Sequence, residues 1–514
     1  MVPHPIARTQ DTKPLRDLFS QVSRIPPEIL AYVFQLYVDS RDEFTPFTVF
    51  PQGPFCLGQV CQLWRAITES DPRLWASIHF YFPETRESRV EDVRRVQPVF
   101  DLHLERSGTL PISLTFTDHR TYSTATRNLV CLLVDRLRTH SRRWWHVSLH
   151  LSCGYFPLLS TFTPCDLSSL RHLHLSVEGR ERFVAPPLNF ESAINLKSLA
   201  YSGCSRSVNG VNDAHWERLE EVSFDFTLHN SMGYPSFQQF MHLPQCRNIT
   251  TCSLGIDQPS SPNDNQAITL PHLRTLRVRR LSPESDANFL DYLLLPQLQT
   301  LEVDTAFHID WYGSSPPWHH RNFSNLLTRS GCALRHLSIQ DVDFPSDEVV
   351  RCLAVSHALA SLRFIPYPRF QDITDVIRAL DVSRAVPVVG DQTLVQGHDQ
   401  TAVGNGPLLA ELREVTFGTS QEGCLDSMMA MFRSRGGTCA RAAKVAALRR
   451  VEVVFLYLPH CPEDQLARVA AFQREVAQWV SESEAENGGE KIGERLEASV
   501  VIDSPYLVGY IRVE

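Results

Sequence analysis

A short apolar phrase that recurs along most of the chain limits what this sequence can fold into. In each copy, one apolar residue is followed three positions later by a pair of apolar residues that lie two positions apart. That spacing of two places the pair on one face of a short β-strand. We find the copies Trp144/Val147/Leu149, Leu170/Leu173/Leu175, Leu196/Leu199/Tyr201, Leu219/Val222/Phe224, Ile249/Cys252/Leu254, Leu273/Leu276/Val278, Leu298/Leu301/Val303, Leu334/Leu337/Ile339, Leu359/Leu362/Phe364, Leu412/Val415/Phe417 and Leu448/Val451/Val453.

The spacing of these copies predicts the architecture. Most copies begin 23 to 30 residues after the previous one, close to the roughly 20–29 residues of a leucine-rich repeat. Since no single unit buries its own apolar face, neighbouring units must stack around a shared core. We therefore predict an α/β fold, in which a small helical module precedes a leucine-rich-repeat solenoid with a parallel β-sheet on its concave side. The gap of 53 residues before Leu412 has room for one unrecognised copy and an insertion.

The same pattern divides the chain into four predicted regions. Residues 1–21 are a polar, proline-containing and flexible N-terminus, and residues 22–80 form the helical module. The repeat region spans 81–460, with an irregular insertion at about 381–407. Residues 461–514 hold a helix that we expect to cap the end of the repeats, an acidic linker and a final strand.

The N-terminal module has more apolar surface than two short helices bury. In its first helix, Ile29, Val33 and Tyr37 recur at helical spacing and are expected on a buried side, which Leu30 and Phe34 widen. A second helix is predicted at about 57–69. Such a module either packs on the rest of the chain or presents one apolar face to a partner.

Three blocks of this module, taken in order, resemble the F-box motif. The blocks are Ile25-Pro26-Pro27-Glu28-Ile29-Leu30, then Val60-Cys61 followed by Trp64-Arg65, and then Leu74-Trp75. Ile25 stands where the family usually has leucine, and the loop at 39–55 is longer than is typical of the family. Residues 99–116 and 137–149 are similar to segments that follow the F-box in a large group of fungal F-box proteins.

The resemblance implies a function and a docking surface. An F-box binds a Skp-type adaptor, which connects it to a cullin, so the chain would be the substrate-recognition subunit of a Skp–cullin–F-box ubiquitin ligase. The alternative is a protein-interaction scaffold outside any ligase that uses the same modules. The residues carried over to the adaptor surface are Ile25, Pro26, Ile29, Leu30, Trp64, Leu74 and Trp75. A purely internal core role is the alternative for each of them.

Side chains between the apolar positions of the strands should face outward and meet the unknown target protein. This set includes His174, Arg277, Arg279, Glu302 and Arg363. Arg277 and Arg279 lie one repeat before Glu302 and Asp304. The alternative is that these charges pair with each other, which contributes at most about 1 kcal/mol. His172 and His174 share one strand face but lack a third metal ligand.

Several classes of function are not expected. The sequence contains no P-loop, nucleophile elbow, His-Glu-x-x-His or Cys-x-x-Cys motif, so we expect a non-catalytic protein with no cofactor and no metal. The net charge of −9 argues against a nucleic-acid partner. An odd number of cysteines, 13, without a disulfide framework fits a cytoplasmic or nuclear protein. No apolar run predicts a membrane span, and the sequon at Asn322 is discounted.

Overall fold

The structure of the protein is a computed structural model that describes most of the chain. The described residues are 24–39, 53–82, 90–118, 132–133, 135–152, 167–178, 190–203, 215–225, 243–256, 267–280, 287–305, 320–367, 372–384, 408–419, 421–436, 439–440, 443, 445–456, 463–486 and 497–503. The chain divides into two compact units. Unit 1 comprises Met1–Leu196 and Asn209–Ala214, and unit 2 comprises Lys197–Val208 and His215–Glu514.

Unit 1 joins a helical module to a four-stranded parallel sheet in the order β1-β2-β3-β4. Its helices are α1 (Pro27–Asp39), α2 (Pro54–Val60), α3 (Gln62–Ser70) and α4 (Val90–Arg106), with a 3₁₀ turn at Pro72–Trp75. Its strands are β1 (Ser77–Phe82), β2 (Ile112–Asp118), β3 (Trp144–Ser152) and β4 (His172–Glu178).

Within its described residues, unit 2 has ten main strands in one parallel sheet, each paired with the next main strand along the chain, and two short strands that pair with each other. The main strands are β5 (Ser198–Gly203), β6 (Glu221–Asp225), β7 (Thr251–Ile256), β9 (Thr275–Arg280), β11 (Thr300–Thr305), β12 (His336–Asp343), β13 (Ser361–Tyr367), β14 (Glu414–Thr419), β15 (Arg450–Leu456) and β16 (Glu497–Asp503). The short pair is β8 (Ile268–Thr269) with β10 (Leu293–Leu294). The helices are α5 (His320–Ser330), α6 (Ser346–Ala354), α7 (Thr374–Leu380), α8 (Leu425–Ser434) and α9 (Glu463–Glu486).

The apolar phrase forms the core that the sequence predicts. All three apolar residues of every copy are buried, with none more than 6% exposed. The phrases align from strand to strand, so that Leu276 pairs with Leu301 and Leu301 with Leu337. Residues of one layer therefore stack on their counterparts in the next repeat, which joins the repeats of a unit into a shared core.

Backbone hydrogen bonds hold neighbouring repeats of unit 2 in register. The carbonyl of the residue before a strand accepts two N–H groups from the start of the next strand. The Thr250 carbonyl accepts from Arg274 at 2.8 Å and Thr275 at 3.0 Å, and the Gln299 carbonyl accepts from Arg335 and His336 at 2.8 and 2.9 Å. Because a one-residue slip would reverse every side chain, this bonding keeps the apolar residues inside.

A buried position that the sequence analysis missed lies three residues before the phrase. Leu167, Trp216, Cys246, Leu270 and Leu295 occupy it and are at most 3% exposed. Their carbonyls accept the N–H of the first phrase residue, as in the bond from Leu273 to Leu270 at 3.3 Å. The sequence signal for this position is one more apolar residue at a spacing of three. The hydrogen bond to its carbonyl shows that the full repeat begins with a tight turn.

The structure differs in three details from what the sequence suggested about the repeats. No strand of the main sheet lies between β13 and β14, which pair directly, and α7 lies in the described part of the long gap. Helix α9 connects β15 to β16, and β16 extends the parallel sheet, so the helix is a crossover rather than an end cap. Trp75/Ile78/Phe80 is itself a copy of the phrase, all at 1% exposure. The first repeat therefore starts inside the helical module, before residue 81.

Candidate protein-interaction surfaces

Helix α1 presents two apolar faces, and only one of them is buried. Leu30, Phe34 and Val38 are 3%, 1% and 4% exposed and join the core of the helical module. The backbone N–H groups of Ile29 and Leu30 donate to the Pro26 carbonyl at 3.0 and 3.1 Å, which starts the helix. Since helical neighbours are three or four positions apart, the buried residues form one continuous stripe.

The other face of α1 is an exposed apolar surface, which we call the α1 patch. Ile29 is 53% exposed and Val33 49%. The patch consists of Ile25, Ile29, Tyr32, Val33, Leu36 and Tyr37. The prediction that Ile29, Val33 and Tyr37 form the buried stripe was wrong, because the core of the module accepts Leu30 and Phe34 instead. Contiguous exposed apolar patches are characteristic of interaction surfaces.

Three residues assigned to the docking surface lie in the core instead. Leu30, Leu74 and Trp75 are at most 3% exposed. The indole Nε1 of Trp75 donates to the Thr68 carbonyl at 2.6 Å, and the ring lies 5.0 Å from that of Phe55 in an edge-to-face arrangement. Trp75 therefore packs inside the module. The assignment of Trp75, Leu30 and Leu74 to the docking surface was wrong, because all three are core residues.

The remaining docking candidates lie at or near the surface. Ile25, Pro26 and Ile29 are exposed. Trp64 is partly buried, with its ring centroid 4.6 Å from that of Phe34. Asp71 accepts from the backbone N–H of Arg73 at 3.1 Å and caps the 3₁₀ turn that leads to Trp75. Hydrogen bonding to Arg73 lowers the pKa of the Asp71 carboxyl.

A buried histidine connects α4 to the helical module. His103 Nδ1 lies 3.2 Å from the Trp75 carbonyl, which accepts its hydrogen, and the imidazole contacts the rings of Phe55 and Trp75. Burial lowers the pKa of His103 to about 4, although the bond to Trp75 opposes that shift. The side chain is therefore neutral at neutral pH, and a proton on it would be an uncompensated buried charge.

This arrangement predicts that acid weakens unit 1. Because the pKa of His103 is about 4 when folded and about 6.5 when unfolded, the unfolded chain binds more protons between these values. The free energy of unfolding of unit 1 should keep its full value above about pH 6.5 and fall by about 3 kcal/mol as the pH drops to about 4. Urea unfolding followed at several pH values measures this loss.

Two variants separate His103 from the other titrating groups. His103→Gln keeps a hydrogen-bond donor but cannot be protonated, so its stability should change less between these pH values. His272→Gln, at an exposed position of unit 2, is the matched control and should behave as wild type. An unchanged acid response in His103→Gln would show that this histidine is not its source.

The outward charges of unit 2 form pairs across neighbouring strands. Arg277 Nε lies 2.8 Å from Glu302 Oε2. Arg279 Nη2 lies 3.1 Å from Asp304 Oδ2. These two pairs lie between β9 and β11 and are well exposed, so each contributes at most about 1 kcal/mol.

Arg363 reaches a partner that the sequence analysis did not identify. Its Nη1 lies 2.9 Å from Glu452 Oε2, which also accepts from Thr416 Oγ1 at 3.1 Å. This network crosses β13, β14 and β15. His174 lies on β4 of unit 1, where its Nδ1 is 3.3 Å from Ser148 Oγ.

The described residues contain little that suggests catalysis. Within them, no group of three His, Cys, Asp or Glu side chains is arranged to hold a metal ion. Burial raises the pKa of the Cys246 thiol to about 12 and also raises that of Cys352, so these thiols stay protonated and weakly nucleophilic. Asn322 is 9% exposed and its amide donates to Asp291 at 2.8 Å, so the side chain is engaged in the interior.

Comparison with known proteins supports the interpretation of the helical module. Residues 22–81 match the F-box-like domain family. The match covers the α1 patch, the core around Trp75 and the start of β1. No curated protein shows a significant match to the chain. Among the described helices, none is both long and apolar enough for a bilayer crossing.

Proposed function

We propose that this protein is the substrate-recognition subunit of a Skp–cullin–F-box ubiquitin ligase. The α1 patch binds the Skp-type adaptor, and the repeats bind the target protein. The protein acts by proximity, because holding a target lysine near a charged ubiquitin donor raises their effective concentration. F-box proteins are generally non-catalytic adaptors, and no nucleophile of this chain is needed for that role.

The observation that carries this proposal is the exposure of the α1 patch within the F-box-like region. Ile29, Tyr32, Val33 and Leu36 are each between 49% and 60% exposed. They follow one another at spacings of three, one and three, which places them on one side of the helix. Helical faces with such anchors bind apolar grooves on partner proteins, and Pro26, next to Ile25 of the patch, extends the same surface at the entry to α1.

The repeats support the second half of the proposal. From the parallel strands, the shared core and the stacked register we infer a leucine-rich-repeat-like solenoid, in which the outward side of the sheet would line the concave surface. Solenoids use that surface for extended binding partners. We infer that the outward residues Arg277, Arg279, Glu302 and Arg363 belong to this surface in unit 2, and that His174 belongs to the outward surface of unit 1.

Binding to a purified Skp-type adaptor tests the proposal. Ile29→Glu combined with Val33→Glu places two charges in the α1 patch without entering the core, so the fold should persist. We expect the affinity for the adaptor to fall at least about a hundredfold, because apolar anchors contribute about 2–4 kcal/mol each. Isothermal titration calorimetry of wild type and variant measures this loss. Ile25→Ala with Pro26→Ala should weaken binding in the same direction.

Ile194→Glu is the matched control, since Ile194 is an exposed apolar residue outside the F-box-like region. It should bind the adaptor as wild type does. If the wild-type protein does not bind the adaptor at micromolar concentration, the proposed ligase function is wrong. If the Ile29/Val33 variant binds as tightly as wild type, the adaptor-binding surface lies outside the α1 patch. Co-purification of a cullin with the adaptor complex distinguishes a ligase subunit from a scaffold that only binds the adaptor.

A further inference from the structure

The edge at which the main strands of unit 2 begin is basic over five consecutive repeats. We call the turns and first strand residues of β7, β9, β11, β12 and β13 the basic edge. It comprises residues 245–251, 270–275, 295–300, 331–336 and 356–361. These segments contain Arg247, Arg274 and Arg335, and they contain no Asp, Glu or Lys.

Backbone hydrogen bonds set the spacing of the arginines along this edge. The Arg274 carbonyl accepts the N–H of Gln299 at 2.9 Å, and the Gln299 carbonyl accepts that of Arg335 at 2.8 Å. Neighbouring strands lie about 4.8 Å apart, so the Cα atoms of Arg274 and Arg335 are about 10 Å apart. The Thr250 carbonyl accepts the N–H of Arg274 at 2.8 Å, which places β7 one strand earlier, and Arg247 lies in the turn before β7.

The three guanidinium groups of the basic edge are exposed, and none of them forms an ion pair with a carboxylate in the part of the chain that the structure describes. The outward charges of the same sheet differ, because Arg277 and Arg363 each contact a carboxylate. The amides of Gln297 and Gln299 are also exposed on the edge. The edge therefore presents three positive charges together with uncharged hydrogen-bonding groups.

Carboxylates bound the basic edge on both sides. In the preceding repeat, Glu220 lies directly before β6 and Glu221 begins that strand. In the following repeat, Glu411 and Glu414 are exposed on either side of Arg413. Four strand spacings separate β7 from β13, so the basic edge is about 19 Å long, which is the length of about six residues of extended chain.

These dimensions favour an acidic protein segment over a nucleic acid as the ligand. Residues of an extended peptide advance about 3.3 Å each, so carboxylates three positions apart match the spacing of Arg274 and Arg335. A nucleic acid carries charge along its whole length and would meet carboxylates at both ends of the edge. The five segments also contain no Phe, Tyr or Trp on which bases stack.

We propose that the basic edge binds a short acidic segment of a target protein, about six residues long, with its carboxylates on Arg247, Arg274 and Arg335. Guanidinium groups suit this role because their planar forks of donors match carboxylate oxygens. The inference rests on the proposed function in taking the ligand to be a target. Binding at the basic edge requires no adaptor, so the two proposals fail separately.

The test is a titration of the full chain with a fluorescently labelled peptide of about six aspartates between glycine and serine residues. Fluorescence anisotropy is measured at neutral pH, at salt concentrations of about 10 mM and about 150 mM. Because salt screens the attraction between exposed charges, we expect the affinity to fall at least about fivefold between the two concentrations.

Arg274→Glu combined with Arg335→Glu reverses two charges of the basic edge and should weaken binding at least about tenfold at the lower salt concentration. Arg274→Gln with Arg335→Gln removes the charges without adding carboxylates and should weaken binding less, in the same direction. The matched control is Arg321→Glu with Arg433→Glu, which changes the net charge equally at exposed positions on α5 and α8. It should bind as wild type does, and near-UV circular dichroism verifies the fold of each variant.

Equal affinity of the Arg274/Arg335 variants and the control would overturn the proposal, as would equal binding of a labelled asparagine peptide. Tighter, arginine-dependent binding of a single-stranded DNA with the same number of charges would also overturn it, because the edge would then be a nucleic-acid site. Adaptor binding by the same preparations reports separately on the F-box-like region.

Discussion

Replacing Arg435 by methionine is expected to lower the free energy of unfolding of unit 2 by about 3–5 kcal/mol. The Arg435 side chain is fully buried, and its guanidinium donates to three backbone carbonyls. Nε donates to Leu380 at 2.7 Å, Nη1 to Leu409 at 3.0 Å, and Nη2 to Leu408. Methionine fills much of the same volume but donates nothing, so the carbonyls of these leucines would lose their buried donor.

The position of these carbonyls explains why the effect should be large. Leu380 ends α7, whereas Leu408 and Leu409 precede β14, so one guanidinium joins two parts of the chain that lie far apart in sequence. Leu409 has a φ of 53°, a left-handed conformation that costs a non-glycine residue about 1 kcal/mol. Burial lowers the pKa of Arg435 to about 10, against the opposing effect of Asp381, so the side chain remains a cation at neutral pH.

Two further variants define the role of Arg435. Arg435→Lys keeps the charge but lacks the planar fork of donors, and its stability should fall between those of methionine and wild type. Arg433→Met, two positions earlier at an exposed site on α8, is the matched control and should change stability by less than about 0.5 kcal/mol. Urea denaturation gives the midpoints. A methionine variant at position 435 as stable as the control would show that water replaces the guanidinium at no cost.

Replacing Leu276 by aspartate should prevent unit 2 from folding. Leu276 is 1% exposed and lies between Cys252 of β7 and Leu301 of β11, which are both fully buried. A carboxylate there would lose its hydration without a partner, and the penalty exceeds about 4–5 kcal/mol, a large share of the stability of an ordinary domain. We expect the variant to be insoluble or protease-sensitive, while Leu276→Ala should fold with a loss of about 2–5 kcal/mol.

The neighbouring residue provides the control for this charge. Thr275 begins the same strand and is partly exposed, between Thr251 and Thr300 on the outward side. Thr275→Asp therefore adds the same carboxylate to β9 but leaves it in contact with water, and stability should change by less than about 1 kcal/mol. Limited proteolysis and thermal unfolding compare the variants. A folded, stable Leu276→Asp protein would contradict the assignment of this residue to the shared core.

Periodicity was a reliable guide to the strands but not to the surface of α1. In a strand, successive side chains lie on opposite faces, so the apolar pair of each phrase identifies which face is buried. In α1, both Ile29/Val33 and Leu30/Phe34 are apolar at helical spacing, so spacing alone does not separate them. The decision depends on which stripe meets Leu57, Ile67 and Trp75, which come from later elements of the module.

Two other features depended on contacts that leave no local signal. The three carbonyls that Arg435 binds lie 26 to 55 residues away along the chain. Likewise, His146 and His172 are 26 residues apart in sequence and become neighbours only because β3 pairs with β4 in that register. The sequence identified His172 and His174 on one strand face but not that His146 lies beside His172.

The sequence by itself determined the parallel repeat core and the F-box-like module, because both follow from local patterns: the alternation of a strand, and blocks of residues in a set order. The tertiary structure alone decided which face of α1 stays in water, that Leu30, Leu74 and Trp75 fill the core, and which outward charges are paired. It also brought Arg435 to the three carbonyls that it binds. The physical reason is that burial and pairing depend on the distance between elements in space, which the spacing of residues along one element does not specify.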